Sequence, residues 1–437
     1  MGIFRSRTML IACVLALASC AAEPSPVSAP PSSAGSPKTA ASSAAPQPSP
    51  TAFAVPAPEW QSVEPDGEQP DGIALSDVAA TGPDTAWAVG RHAEAEDDDS
   101  PSGVLLRVDG LRWRSGQGIE GRILGERGSN FGAVDADGSG NAWVVGSVDS
   151  MGEDSTDIEQ FPLALRWNGR SWDIHTPFED SWDLYTSFKD RKDRWLTDRL
   201  TDVAVDGRRA ALIGLRGSED AGEISSPVLL TWNGRRFSRR EYQRGGRFNA
   251  VDAGAGHVWI VGMSSSGRCT DSRPAIWHSA SPGSAPTQTR LPWLGRGSLR
   301  HIWQNSPSDV WAVGETGTRQ ACDQYGRPGG PLVLHWNGTS WKKIKLPRWK
   351  VSLQSVTAFA ADDVWVAGVD YGDDERPTQV TLLHYNGRRW TRDHRDVGGE
   401  ICGDGFTITR VPTTSRLLLA GRAHCGDDTK HILHVRR

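Results

Sequence analysis

The sequence predicts an all-β ring built from repeated four-stranded units, and three observations carry that prediction. The phrase D-V-W-A-V-G at Asp309–Gly314 returns with drift seven times, closing on Gly90, Gly146, Gly214, Gly262, Gly314, Gly368 and Gly421. The spacing of those glycines runs from 48 residues (Gly214 to Gly262) to 68 (Gly146 to Gly214). Repetition at such a period marks a solenoid, a propeller or an array. The last repeat also stops at His431–Arg437 without its fourth strand, and a segment matching that strand, Glu59–Pro65, stands at the front. Finally, 14 of the 19 tryptophans fall on repeat positions. Together these predict a seven-bladed β-propeller, with the N-terminal strand (about Trp60 to Val63) completing the last blade. Such closure removes the sheet edges that an open array would expose.

Each unit reads as four β-rich runs, here called A to D. In the fifth unit they are Leu299–Trp303, Asp309–Gly314, Leu332–Trp336 and Trp341–Ile344; the sixth repeats them from Leu353 to Trp390. Asn337-Gly338 and Asn386-Gly387 are hairpin signals, since both central turn positions need positive φ. Trp87, Trp143, Trp259, Trp311 and Trp365 are assigned to strand B. Trp167, Trp232, Trp277 and Trp336 go to strand C, and Trp60, Trp113, Trp172, Trp341 and Trp390 to strand D. Large flat rings at these places are expected to fill the space between blades. Ala211 and Leu418 replace the strand B tryptophan in blades 3 and 7, and blade 4 has Ser279–Pro286 where the Asn-Gly turn belongs. His335, His384 and His434 recur at one strand C position. One residue per blade keeps them apart, so a structural hydrogen bond is expected there rather than a metal site.

The N-terminus carries the address. Arg5 and Arg7 precede the apolar run Met9–Leu17 and the small residues Ala18-Ser19-Cys20. Nine apolar residues are too few to span a bilayer, and the pattern is that of a secretory signal. Residues 21–58 are nearly all Ala, Pro, Ser and Thr, a composition that cannot bury enough apolar surface to fold. Leu17-Ala18-Ser19-Cys20 resembles the bacterial lipobox, which implies cleavage before Cys20 and its lipidation, so the expected organisation is a signal peptide over 1–19, a lipidated Cys20 with an extended tether over 20–58, and the propeller over 59–437. The protein is thus expected on the extracytoplasmic face of the cell membrane, held by acyl chains. Cys269, Cys322, Cys402 and Cys425 remain after processing, an even number suited to disulfides in an oxidising compartment. Cys269 with Cys322 and Cys402 with Cys425 are the expected pairs.

Two regions are candidates for binding, both on the face where the long D-to-A and B-to-C loops emerge. The B-to-C loops bring acids to one rim, among them Asp97, Asp98, Asp99, Asp373, Asp374 and Glu375. Such a rim attracts a basic partner or coordinates Ca²⁺ through oxygen ligands, although no segment has the residue order of a calcium loop. An insertion between blades 2 and 3 adds Trp182, Tyr185 and Trp195, aromatics of the kind that stack on sugars or anchor proteins. No cofactor other than calcium is indicated. A net charge of −5 disfavours nucleic acid, and a monomer is expected.

The D-V-W-A-V-G…L-H-W-N-G-x-x-W pattern resembles that of secreted and lipid-anchored actinobacterial propeller proteins, and is more distantly similar to tectonin-type propellers. The resemblance covers nearly all of residues 60–437. It implies a non-catalytic binding or scaffold protein engaging a protein or glycan partner. A glycan hydrolase, lyase or lectin is the alternative on the same scaffold, and a purely structural envelope protein a third. No spacing singles out a catalytic pair of carboxylates.

Overall fold

The computed structural model describes residues 60–67, 72–92, 103–115, 129–138, 140–151, 158–175, 199–216, 226–242, 246–265, 272–281, 283–317, 330–371, 377–395, 405–425 and 428–436. All belong to one unit, Pro56–Arg437. They form seven sheets, each with its strands in the order A to D from the axis outward. Blade 3 is representative, with A at Arg199–Asp206, B at Arg209–Arg216, C at Ser226–Trp232 and D at Phe237–Glu241. Every A strand touches the A strand of the next blade, and Thr407–Arg410 of blade 7 touches Ile73–Ala80 of blade 1. The chain is therefore a closed seven-bladed β-propeller, as its repeats predict.

Each blade is covered on both sides by its neighbours, which explains why strand B is apolar without alternation. Trp87-Ala88-Val89 are all buried, as are Trp311-Ala312-Val313. The core is divided into one cluster per blade junction. At the junction of blades 1 and 2, Trp87 meets Trp167 and Trp172 edge-on, with centroids 5.2 and 5.0 Å apart. Trp143 meets Trp232 at 5.8 Å between blades 2 and 3, and Trp259 meets Trp341 at 5.5 Å between blades 4 and 5. Trp277 departs from its assigned place. It pairs with Ile260, whereas Trp336 pairs with Val310, so it lies two residues earlier in strand C than the tryptophans grouped with it. Ser279 occupies the equivalent of Trp336.

The ring closes through the N-terminal strand, which pairs Trp60 with Arg436, Gln61 with Val435 and Ser62 with His434. Val63 N–H then donates to Leu433 O at 2.8 Å. The chain next crosses to blade 1, where Glu64–Pro65 runs parallel to Arg112–Ser115. There Glu64 N–H donates to Leu111 O at 2.9 Å and Asp66 N–H to Trp113 O at 2.7 Å. One eight-residue stretch, 60–67, therefore latches both the last blade and the first. The second latch has no periodicity to announce it, being two residues of which one is proline.

Whereas in blade 7 a Cβ on Gly421 would meet the Phe406 ring, in blades 1 to 6 the glycine that closes the D-V-W-A-V-G phrase is explained by a β-bulge. Strand A slips register opposite it, between Leu75 and Asp77 in blade 1 and between Leu299 and His301 in blade 5. The bulge presses a strand A carbonyl onto the strand B backbone. A Cβ on Gly90 would run into Ala74 O, one on Gly146 into Asn130 O, and one on Gly314 into Ser298 O. Backbone does not yield as a side chain does. Gly314→Ala is therefore expected to destabilise the ring by about 1–3 kcal/mol, the range for overpacking, whereas Gly330→Ala, whose Cβ would make only an ordinary 3.6 Å contact with Thr316 Oγ1, should cost less. Urea titration of both variants checks this, and equal midpoints would contradict it.

Candidate functional site

Most residues singled out by sequence lie outside the described residues: Cys20, Asp97, Asp98, Asp99, Trp182, Tyr185, Trp195, Cys269, Cys322, Asp373, Asp374, Glu375 and Cys402. Cys425 ends strand B of blade 7, where its backbone pairs with Asp428. Two other places in the ring concentrate polar chemistry, the axis and one blade junction.

At the axis, the bulge in strand A turns side chains toward the next blade. Asp77 of blade 1 accepts Val134 N–H of blade 2 at 2.9 Å, and Asp135 of blade 2 accepts Val205 N–H of blade 3 at 2.7 Å. Asp202 accepts Val251 N–H of blade 4 at 2.7 Å, and Asp252 accepts Gln304 N–H of blade 5. The series continues with different chemistry. His301 Nδ1 accepts Val356 N–H at 3.3 Å, Ser355 Oγ accepts Ile408 N–H at 3.2 Å, and Thr407 Oγ1 donates to Ser76 O at 3.3 Å. Every junction of the ring thus carries a side-chain-to-backbone bond between inner strands. In Asp77, Asp202 and Asp252 the second carboxylate oxygen accepts the N–H of the following residue, at 2.8, 2.8 and 2.7 Å.

These aspartates keep some surface toward the axis, yet protein surrounds them closely. Burial pushes Asp77 and Asp252 up to about 7, against the N–H bonds they accept. Burial also raises Asp135, reinforced by Asp252 and Asp77, and raises Asp202, reinforced by Asp77 and Asp135. Burial lowers His301 to about 4, so its ring is neutral and free to accept at Nδ1. On the side of the axis where strands A begin, Arg199, Arg247 and Arg300 converge. Burial and then the charges of Arg199 and Arg300 lower Arg247, while Arg300 pairs with buried Glu315 at 3.1 Å. Deeper in the ring, Arg410 of blade 7 reaches past blade 6 to Asn305 Oδ1 at 3.2 Å and lies 5.3 Å over Trp303.

The repeated Asp and His of the module form a second device. Asp309 Oδ1 accepts from Trp311 Nε1 at 2.9 Å and bonds His335 Nε2 at 2.8 Å, and the His335 ring stacks on Trp311 at 4.1 Å. Asp363, Trp365 and His384 repeat this at 3.0, 2.8 and 4.1 Å. The structural role expected of His335 and His384 is thus observed. Asp309 is held below the usual carboxylate range by the bonds from His335, Asn305 and Trp311, which outweigh its burial; Asp363 is held low chiefly by its bond from His384. Among the described residues, no three His, Cys, Asp or Glu side chains are grouped to hold a metal.

The exceptional junction lies between blades 3 and 4. In blade 5 the cross-strand row facing the next blade is Trp311 and His335; in blade 1 it is Trp87 and Arg107, with the guanidinium 5.8 Å over the indole. In blade 3 the row is Ala204, Ala211, Thr231 and Ser238. Blade 4 opposes it with Ser279 instead of a strand C tryptophan, and with a two-residue strand D, Thr287–Gln288. Neither Ala211 nor Ser279 supplies an indole at this edge, Trp277 lies in the junction's core against Phe248, and a cleft of about 210 Å³ opens beside them. Its lining includes Ala210, Ala211, Ala253 and Val258, with Asp206 and His257 among the polar groups. Asp206 Oδ2 accepts Gly256 N–H at 2.9 Å, and the hydroxyls of Thr231 and Ser238 bond each other at 2.6 Å. His257 stands where blades 5 and 6 have Asp309 and Asp363. Its Nδ1 lies 2.9 Å from His278 Nε2, and His278 stacks on Trp259 at 3.6 Å. Burial, and then His257, lowers His278 to about 4. The signal for this cleft was present in the sequence as Ala211 and the altered blade 4 turn, but nothing in one strand told which two losses face each other.

No protein-family model and no curated protein sequence matches this chain. Among solved structures, YCF48 bound to D1 peptide is similar over 86% of this chain and 94% of that one, at 14% identity and a TM-score of 0.47. Penicillium chrysogenum α-L-arabinanase complexed with arabinobiose is similar over 84% and 96%, at 9% identity and 0.45. Trypanosoma rangeli sialidase in complex with 2,3-difluorosialic acid is similar over 68% of this chain at 11% identity and 0.43, and this chain spans 52% of its length. At such identities the likeness concerns the fold alone.

The axial carboxylates make the ring's stability pH-dependent. Because Asp77 and Asp252 reach about 7 in the fold, the folded ring holds protons between about pH 4 and 7 that the unfolded chain has released. The carboxyl contribution therefore falls as pH rises through that window, while His278 and His301, lowered to about 4 in the fold, act in the opposite sense below about pH 6.5. Below about pH 4 the sign reverses, because Asp309 and Asp363, depressed in the fold, lose their contribution as they protonate. The melting temperature is expected to rise from about pH 8 to about pH 6.5, where the histidines are neutral in both states and the carboxyls act alone, and Asp77→Asn with Asp252→Asn should flatten that rise. A wild-type profile already flat over that range counts against the assignment.

Proposed function

We propose that this chain is an extracytoplasmic lipoprotein, anchored to the cell membrane, whose propeller serves as a non-catalytic binding or scaffold module for an envelope partner. The address rests on the basic, apolar and L-A-S-C segments that end at Cys20. The binding reading rests on how the ring uses its perturbed acids. Glycoside hydrolysis needs two carboxyl groups facing a substrate across a gap. Asp77, Asp135, Asp202 and Asp252 instead accept backbone N–H groups of the neighbouring blades. Groups tied in this way hold the disc together and are poorly placed to exchange protons with a ligand. A rigid disc on a tether, with an open cleft between two of its blades, is suited to presenting a surface.

Two measurements test this reading. Metabolic labelling with palmitate should mark the wild-type chain in the membrane fraction, and Cys20→Ser should move it, unlabelled, to the soluble fraction. Label retained by the variant removes the anchor. The full chain, immobilised in detergent, should retain a specific envelope protein or glycan without altering it. Cleavage of an envelope glycan by the chain transfers the reading to the enzyme class.

A further inference from the structure

We propose that the cleft between blades 3 and 4 is a docking site for an acidic peptide segment of a partner protein, with one aromatic side chain of that segment entering the cleft. The proposal rests on the binding-module reading and names the partner's chemistry.

The first support is that the ring itself shows what this space takes. At five other junctions a strand B tryptophan, Trp87, Trp143, Trp259, Trp311 or Trp365, occupies the corresponding place. At the junction of blades 7 and 1, where Leu418 replaces it, buried Trp113 remains, edge-on to His431 at 5.2 Å. Between blades 3 and 4 the place is bounded by Ala211, Thr231 and Ser238 on one side and by Ala253, His257 and Val258 on the other. The methyl groups offer an apolar floor, and His257 supplies an imidazole, the group that stacks face-on on tryptophan in blades 5 and 6. Trp277 does not fill the gap, because its place two residues earlier puts it against Phe248 at 4.8 Å.

The second support is independent and electrostatic. Blade 3 exposes Arg208, Arg209, Arg235, Arg236 and Arg240 on the turns and outer strand beside this cleft, and Arg209 is part of its lining. Among the described residues of blade 3, the carboxylates near them are Asp206, which accepts Gly256 N–H, and Glu241, which pairs with Arg239. The edge is strongly basic in a chain whose net charge is −5. Such an edge draws an acidic segment and sets its orientation, while a buried aromatic anchor supplies most of the affinity. A neutral sugar satisfies the cleft's hydroxyls but has no use for five exposed guanidinium groups.

The test uses the full chain in detergent and two synthetic probes, acetylated pentapeptides of sequence Asp-Asp-Trp-Asp-Asp and Asp-Asp-Ala-Asp-Asp, titrated by calorimetry at low salt. The tryptophan peptide is expected to bind at least tenfold more tightly than the alanine peptide. Ala211→Trp, which restores the residue that five other blades carry, is expected to weaken the tryptophan peptide at least tenfold while leaving the melting temperature unchanged or raised. Ala211→Phe is the second variant, should the indole disturb folding. Arg209→Glu with Arg235→Glu should weaken both peptides and flatten the salt dependence. Equal binding of the two peptides, indifference of the tryptophan peptide to both Ala211 variants, or displacement by cellobiose or N-acetylglucosamine overturns the proposal. An envelope partner that is retained equally by wild type and Ala211→Trp overturns this docking site but leaves the binding-module reading standing.

Discussion

The ring depends on a side-chain bond that each inner strand makes to the backbone of the next. A propeller has no backbone ladder between blades, so its sheets would be joined only by non-directional apolar packing. Asp77, Asp135, Asp202, Asp252, His301, Ser355 and Thr407 add one directional bond at each junction. The bulge that makes them possible also demands the glycine opposite, because the displaced carbonyl leaves no room for a Cβ. The most visible letter of the repeat is thus a consequence of its least visible bond. An unsatisfied buried N–H costs about 1–3 kcal/mol, so the six N–H groups bound in this way are under steady pressure to keep their partners.

The chemistry of that bond changes around the ring, and the change divides the disc. Blades 1 to 4 use carboxylates, whose like charges crowd the axis, and blades 5 to 7 use an imidazole and two hydroxyls. Arg410 then reaches inward from the carboxylate-free half, its charge favouring the ionised form of Asp252.

Much of this was legible in the sequence, and the boundary of what was legible is physical. Tryptophans in B, C and D, the Asn-Gly turns and the half-repeat at the end are local patterns, and they predict the blades and the closing strand. The Asp309–His335 and Asp363–His384 bonds recur in register, so their structural role was readable too. The axial aspartates were not, because they occupy two different columns. Asp77 and Asp202 directly follow the bulge, while Asp135 and Asp252 stand two residues further on. A carboxylate reaches the neighbouring blade from either place, so selection acts on the bond and not on the column. The Glu64–Pro65 latch and the displacement of Trp277 are likewise contacts without a period.

The cleft shows the same logic from the opposite side. Ala211 alone reads as a small residue in an apolar strand, and Ser279 alone as an irregular turn. Only the ring sets one against the other, because a strand B face meets strands C and D of the next blade. At the junction of blades 7 and 1, where Leu418 and Val108 stand at the strand B and strand C places, Trp113 of strand D keeps the junction filled. Where Ala211 faces the shortened outer edge of blade 4, Trp277 packs inward against Phe248 and does not line the cleft, and packing alone would favour refilling it. Keeping Ala211, Thr231 and Ser238 in one row beside five exposed arginines leaves an unfilled cleft at a charged edge. That combination is destabilising for an isolated disc and is offset when something else supplies the missing ring.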